Sequence, residues 1–217
     1  MTFNGPASVD YQNVFALNHD YLSLLRSTRV ARQGIDELSP GLRSRITSLS
    51  AGEAKRLATA PFMLVSLRER DDRLWEQIFS GRHELSIEPP AEDLLRLASA
   101  TLGFVWQLAR QNPYTLRLIC GASLHWCECI AERTLVELLA AVSAYPNLLT
   151  LQRGDDHDLW RKLLSDGVNR NPRVCRAAQM CALQTVLTQR TADANKRWAV
   201  AACNTVPESL QVADKDA

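Results

Sequence analysis

Apolar residues recur at spacings of three and four along most of the chain, and alternation of apolar and polar positions is almost absent. The pattern predicts an all-α protein, a multi-helix bundle of about eight helices. From Val14, the residues Phe15, Leu17, Tyr21, Leu22, Leu24, Leu25 and Val30 share one side of a helix that runs to about Arg32 and ends at Gly34. Ser39-Pro40 reads as an N-cap followed by proline in the first helical position. Ser50 to Glu53 reads as a capping box opening the next helix, which Pro61 stops. Phe62 to Leu67 is an apolar run too short for a helix of its own, so one extended segment is expected near 62–67. Asp71 or Asp72 then caps a helix through Leu74, Trp75, Ile78 and Phe79.

Gly81 and Pro89-Pro90 break the pattern and mark a soft boundary at 81–90. Beyond it, Glu92 and Asp93 suit the positive end of a helix whose wide apolar face runs from Leu94 to Ala109. Asn112-Pro113 opens a helix expected to reach about Ile130, and Thr134 to Glu137 is a second capping box whose helix ends before Pro146. Asp155 to Asp158 precede a helix carrying Leu159, Trp160, Leu163 and Leu164. Gly167 ends it, and Asn171-Pro172 caps a last helix to about Thr188. The domain reading is a loose lead-in at 1–12, a helical module at 13–80, a helical bundle at 90–190 and a polar tail at 191–217, pinned in part by Trp198. No internal repeat is apparent in this reading.

Composition adds exclusions. The 217 residues are 46% hydrophobic and 23% charged, which fits a packed domain and excludes a disordered or fibrous chain. The nearly uncharged run Leu97 to Ala109 falls well short of the roughly 20 apolar residues that a membrane-spanning helix needs, so no membrane role is expected. The first residues carry no secretory pattern, and the six cysteines lie mostly in helical runs, so a cytoplasmic protein with free, largely buried thiols is expected.

The net charge of +1 hides segregation. Residues 161–190 carry six basic side chains against one acidic, and 21–73 carry ten against six. The helix ending near Asp166, the turn at Gly167 and the helix from Pro172 have the outline of a helix-turn-helix at 158–188. Arg170, Arg173 and Arg176 project from the start of its second helix, and Arg161 and Lys162 lie on the first. These five are candidate contacts to duplex DNA phosphates. The alternative is an ordinary hairpin with a solvated basic face.

The segment Leu17-Asn18-His19-Asp20-Tyr21-Leu22-Ser23-Leu24-Leu25-Arg26, followed by Gly34-Ile35, Leu49-Ser50 and Arg56-Leu57-Ala58, resembles the N-terminal region of the FlhD family. These are the D subunits of the flagellar master transcription regulator. The shared features are an N-x-x-Y-L-x-L helix, a Gly-Ile segment, a small helix ending in Leu before Ser, a Leu-Ala helix, and an extended run leading to Arg68-Glu69-Arg70-Asp71. The resemblance covers residues 14–72; the Leu25–Ile35 connection is shorter than the family's, and the chain beyond about residue 80 has no counterpart in it. The four-cysteine zinc pattern of the partner C subunits does not occur here. The resemblance implies a helical dimerising or partner-binding module in a transcription complex. A module of about 60 residues buries little surface alone, so the face of Leu17, Tyr21, Leu22, Leu24 and Leu25 either meets a second copy or partner subunit, or forms intramolecular core.

Other constellations have local explanations. His125 and Cys129 share a helix face near Cys120 and Cys127, but a Cys-x-Cys pair within a helix diverges, so buried thiols are the expectation and no metal is assigned. Asp155-Asp156-His157-Asp158 stands where a helix needs an N-cap and first-turn acids. No phosphate-binding glycine loop, nucleophile elbow or zinc-protease motif is present, so neither an enzyme nor a cofactor is expected. Tryptophans 75, 106, 126, 160 and 198 fall mostly on apolar positions and read as core. The combined expectation is a transcriptional regulator subunit, as a dimer or with a second regulatory subunit, touching duplex DNA through the basic hairpin. The alternative is an anti-activator or assembly factor that touches no DNA.

Overall fold

The computed structural model describes residues 5–27, 35–80, 91–145 and 147–204. Among them are ten helices, α1 (Ser8–Arg26), α2 (Pro40–Thr47), α3 (Ala51–Ala58), α4 (Asp72–Phe79), α5 (Glu92–Gln111), α6 (Pro113–Cys120), α7 (Leu124–Glu132), α8 (Leu135–Ala144), α9 (His157–Ser165) and α10 (Pro172–Asn204). The one sheet among these residues pairs β1 (Val65–Ser66) with β2 (Thr150–Leu151). The fold is all-α, and no helix of the described residues is long and apolar enough to cross a membrane. Gly34 and the boundary at 81–90 lie outside the described residues.

The caps act as the residue types require. Ser50 accepts from the Glu53 amide while the Glu53 carboxylate accepts from the Ser50 amide, and Thr134 with Glu137 repeats the arrangement. Asp71 caps α4, Asn112 caps α6 and Asp156 caps α9. Four boundaries differ from the sequence reading. Helix α1 ends at Arg26, with Ser27 already extended, short of the expected Arg32, which lies outside the described residues. Helix α1 starts at Ser8 and takes in part of the lead-in, because the Asp10 carboxylate turns back to accept from the Ala7 amide. The helix expected from Pro113 to Ile130 is two helices. Gly121 adopts φ +64°, its amide closes α6 on the Arg117 carbonyl, and Ser123 caps α7 afresh. Helix α10 continues past Thr188 to Asn204 and so takes in much of the expected tail; the side chain of Trp198 lies outside the described ones.

The packing shows a repeat that the sequence reading missed. Arg-x-x-Asp-x-x-Leu-Trp occurs at 68–75 and again at 153–160, each copy preceded by a short strand and, further back, by a capping-box helix. Both arginines hold left-handed backbone, φ 53° and 54°. In both copies the aspartate caps the next helix and takes an ion pair from the arginine three residues before it. Both tryptophan indoles donate back to the strand-end carbonyl, Trp75 to Leu67 and Trp160 to Gln152. A residue without glycine's freedom is strained in this conformation, and the guanidinium–cap pair together with the indole bond holds the turn closed.

Symmetry extends to the elements. The antiparallel partners are Val65 with Leu151 and Ser66 with Thr150. The offset that superimposes the two motifs maps Val65 on Thr150 and Ser66 on Leu151, so exchanging the halves turns one pair into the other. That is a local two-fold axis through the sheet. Helix α1 packs on α3 as α5 packs on α8, and α1 and α5 meet each other. Helix α9 packs on α2, and correspondingly Trp75 of α4 meets Trp126 of α7 edge to face at 5.1 Å. One core runs through both halves, from Val14 to Val186.

Candidate nucleic-acid interface

The basic hairpin is built on the second half alone. Leu159, Trp160, Leu163 and Leu164 bury one side of α9, α10 packs against it, and the buried side of α10 carries Cys175, Gln179, Ala182 and Val186. The turn between them is tight. A Cβ on Gly167 would come within 2.6 Å of the Leu163 carbonyl, which only glycine avoids. Asn169 Oδ1 accepts from the Asn171 amide and Asn171 Oδ1 from the Arg173 amide, two side-chain turns that aim the chain into α10.

Buried polar groups fasten this turn to the first half. Gln179 donates to the Arg56 carbonyl at 2.9 Å, and Cys175 donates to the Gly167 carbonyl. The Arg56 Nε–H donates to the Val168 carbonyl at 2.7 Å. Burial pushes the Cys175 thiol up, with Arg56 pulling the other way, so it remains a protonated donor.

The five basic candidates are exposed, but they do not form one surface. With Cys175 and Gln179 facing inward, helical spacing puts Arg173 and Arg176 on one flank of α10 and Val174, Ala178 and Cys181 on the other. Lys162 lines the groove on the second flank, with Leu159, Val174 and Cys181, away from Arg173 and Arg176. Arg161 is occupied by Asp158. Residue type and spacing carry no azimuth for α9 relative to α10, so Arg161 and Lys162 group with the other three in the sequence but not in the fold. Among the described residues, Arg170, Arg173 and Arg176 have no carboxylate within ion-pairing distance.

Arg170 also lines an open, largely polar groove of about 710 Å³ between the turn and the first half, with Arg45, Ser50, Glu53, Arg56, Ser165 and Asn169. Arg45 and the amide and hydroxyl of Ser50 hold the Glu53 carboxyl down at about 2. No sequence signal pairs α3 with the hairpin, since the two are joined only by long-range contacts.

The face expected to meet a second copy lies elsewhere. Leu17, Tyr21, Leu22 and Leu25 are buried inside this chain, and only Leu24 is partly exposed. Helix α5 occupies the place a partner would take, and burial pushes the Tyr21 hydroxyl well above its ordinary value, with Glu37 adding to it. Among the cysteines, Cys120, Cys127 and Cys175 are buried, Cys129 is half-buried and Cys181 is exposed. Cys129 Sγ lies 3.7 Å from His125 Nε2, and desolvation and Glu132 push its thiol up. Cys127 points into the core, away from Cys129. Asp156 serves as cap and ion-pair partner, and His157 bonds the Glu37 carbonyl. Trp75, Trp126 and Trp160 are core, and Trp106 is half-buried with its indole donating to Arg133. Comparisons of the chain with protein-family models, curated proteins and solved structures find no match.

Proposed function

We propose that the chain is a regulatory subunit of a transcription complex that contacts duplex DNA through phosphates, using Arg170, Arg173 and Arg176. The observation that carries this reading is the combination of exposure and bracing. Three arginines without ion-pair partners among the described residues stand on the turn and the first turns of α10, fixed by buried and part-buried hydrogen bonds from Gln179, Cys175 and Arg56. Solvated arginines on a floating helix end lose side-chain and backbone freedom on binding, and a braced turn has already lost the backbone part. The resemblance of residues 14–72 to a transcription-regulator family supports the same reading. With the apolar face of α1 used inside the chain, each chain brings one basic hairpin to the complex.

Fluorescence anisotropy of a random-sequence duplex over a salt series tests this. Three phosphate contacts give log K against log[salt] a slope of about −2.7. The Arg170/Arg173/Arg176→Glu variant, shown folded by circular dichroism, should lose binding. Wild type that stays unbound at low salt would refute the reading and leave partner binding without DNA.

A further inference from the structure

We infer that the groove between α3 of the first half and the α9–α10 turn is the continuation of the phosphate-binding surface, so that a duplex backbone leaving Arg170 runs across the junction of the two halves. This deepens the reading above and rests on it.

The groove is open and its lining is polar. Its charges do not cancel. Arg45 and Glu53 neutralise one another at 2.6 Å, which leaves Arg56 and Arg170 as surplus positive charge. Arg56 spends only its Nε–H on the Val168 carbonyl. Anchored by that bond, its guanidinium is held against the groove and keeps donors for an oxygen anion. Asn169 adds a neutral amide of the kind that contacts phosphate and sugar, while the Ser50 and Ser165 hydroxyls donate to the Glu53 carboxylate and the Lys162 carbonyl. The Arg56–Val168 and Gln179–Arg56 hydrogen bonds fix both walls relative to each other, so the cations on the two halves keep one spacing. Of two other grooves among the described residues, the one between α9 and α10 has a floor of small apolar side chains and a rim of Asp156, Asp158 and Asp166 against Lys162, a net negative set that repels a phosphodiester chain. The pocket beside the sheet places Arg68, Arg70 and Arg153 among Glu37, Glu69, Asp71 and Asp155, a set without surplus positive charge.

Two opposite changes to groove charge provide the test. Ser165→Glu puts a carboxylate in the groove, on an exposed site at the end of α9. Glu53→Gln keeps the capping box, which accepts either residue, but frees Arg45 from its partner. One phosphate contact, with a slope of about 0.9, is worth roughly eightfold at 0.1 M salt relative to 1 M. Ser165→Glu is therefore expected to weaken duplex binding by roughly eightfold with a smaller salt slope, and Glu53→Gln to strengthen it with a larger one. Gln77→Glu, the same charge change as Ser165→Glu on the exposed face of α4, should leave affinity unchanged. Thermal melts of all three check folding. If wild type binds and the arginine triple variant does not, while Ser165→Glu and Glu53→Gln both stay at wild-type affinity and slope, the groove is not part of the surface. If wild type does not bind, both this inference and the function it rests on are wrong.

Discussion

Asn18 is fully buried in α1 and uses its whole amide on the backbone of two other segments. Its Nδ2 donates to the carbonyls of Ala58 at 3.3 Å and Phe62 at 2.9 Å, and its Oδ1 accepts the Leu64 amide at 2.7 Å. The side chain ties the end of α3 and the approach to β1 onto the first helix. Asn18→Ala would strand the Leu64 N–H in the core, which costs about 2 kcal/mol. The carbonyls have second lone pairs and lose less, together about 1 kcal/mol, and the space left by the amide adds about 1 kcal/mol. The sum is about 4 kcal/mol, or a fall in Tm of about 10 °C for a chain of this size. Urea unfolding followed by circular dichroism should show a lower midpoint at constant m. Ser23→Ala, on the exposed side of the same helix, should stay within about 0.5 kcal/mol. Asn18→Asp would keep an acceptor for Leu64 but set a carboxylate against two carbonyls, and should be at least as harmful as alanine. A loss below about 1 kcal/mol for Asn18→Ala would refute the idea that these three bonds set the geometry of the first half.

Three further outcomes are expected. The Tyr21 hydroxyl has its folded pKa raised above the unfolded value of about 10, so its contribution is complete below pH 10 and is lost as pH rises further. Stability should fall by up to about 1.4 kcal/mol per pH unit on that account, and Tyr21→Phe should remove one proton's worth of slope from an alkaline series of urea melts. Gly121 at φ +64° has Val186 Cγ1 within 2.5 Å of where a Cβ would stand, so Gly121→Ala should cost about 2–3 kcal/mol. Adding Val186→Ala should relieve the clash but not the backbone strain, giving a coupling of about 1 kcal/mol in a double-mutant cycle. Light scattering should give the mass of one chain, 24.3 kDa, at all concentrations, and Tyr21→Glu should unfold the protein rather than dissociate it; a mass that doubles with concentration and is reset by that substitution would return Tyr21 to an intermolecular interface.

Legibility in the sequence followed the range of the interactions involved. Ser50, Asp71, Asn112, Thr134 and Asp156 bond to backbone within three residues, so residue type and spacing suffice to locate them. The break at Gly121 was hidden because apolar residues keep a helical period across it, and a single glycine is tolerated in a helix. The fold of the extended run was visible only in part. Phe62 to Leu67 read as extended, but its partner Thr150–Leu151 was not seen, since two residues carry no alternation. The repeat escaped because outside the polar turn and the capping boxes the two halves share little sequence, the rest of their helices matching only in apolar periodicity. Its signal was nonetheless present, as Arg-x-x-Asp-x-x-Leu-Trp stands twice in the chain. At the site, the exposure of Arg173 and Arg176 was legible from helix position and that of Arg170 from its place in the turn. The divergence of Lys162 and the placement of Arg56 against the hairpin were not, because both depend on how distant helices are rotated against one another.

The two-fold axis through β1 and β2 has a genetic consequence. When two identical chains assemble about such an axis, every mutation is expressed at both ends, and any appended element appears twice. Here a single reading frame encodes both halves, so each can change without its counterpart. Among the described residues, only the second half carries a helix like α10, and only its end carries the braced arginine turn. The particle therefore has a head and a tail. On the proposed reading, a ligand held by that hairpin would be engaged once per chain and in one orientation, which suits a target without inverted symmetry.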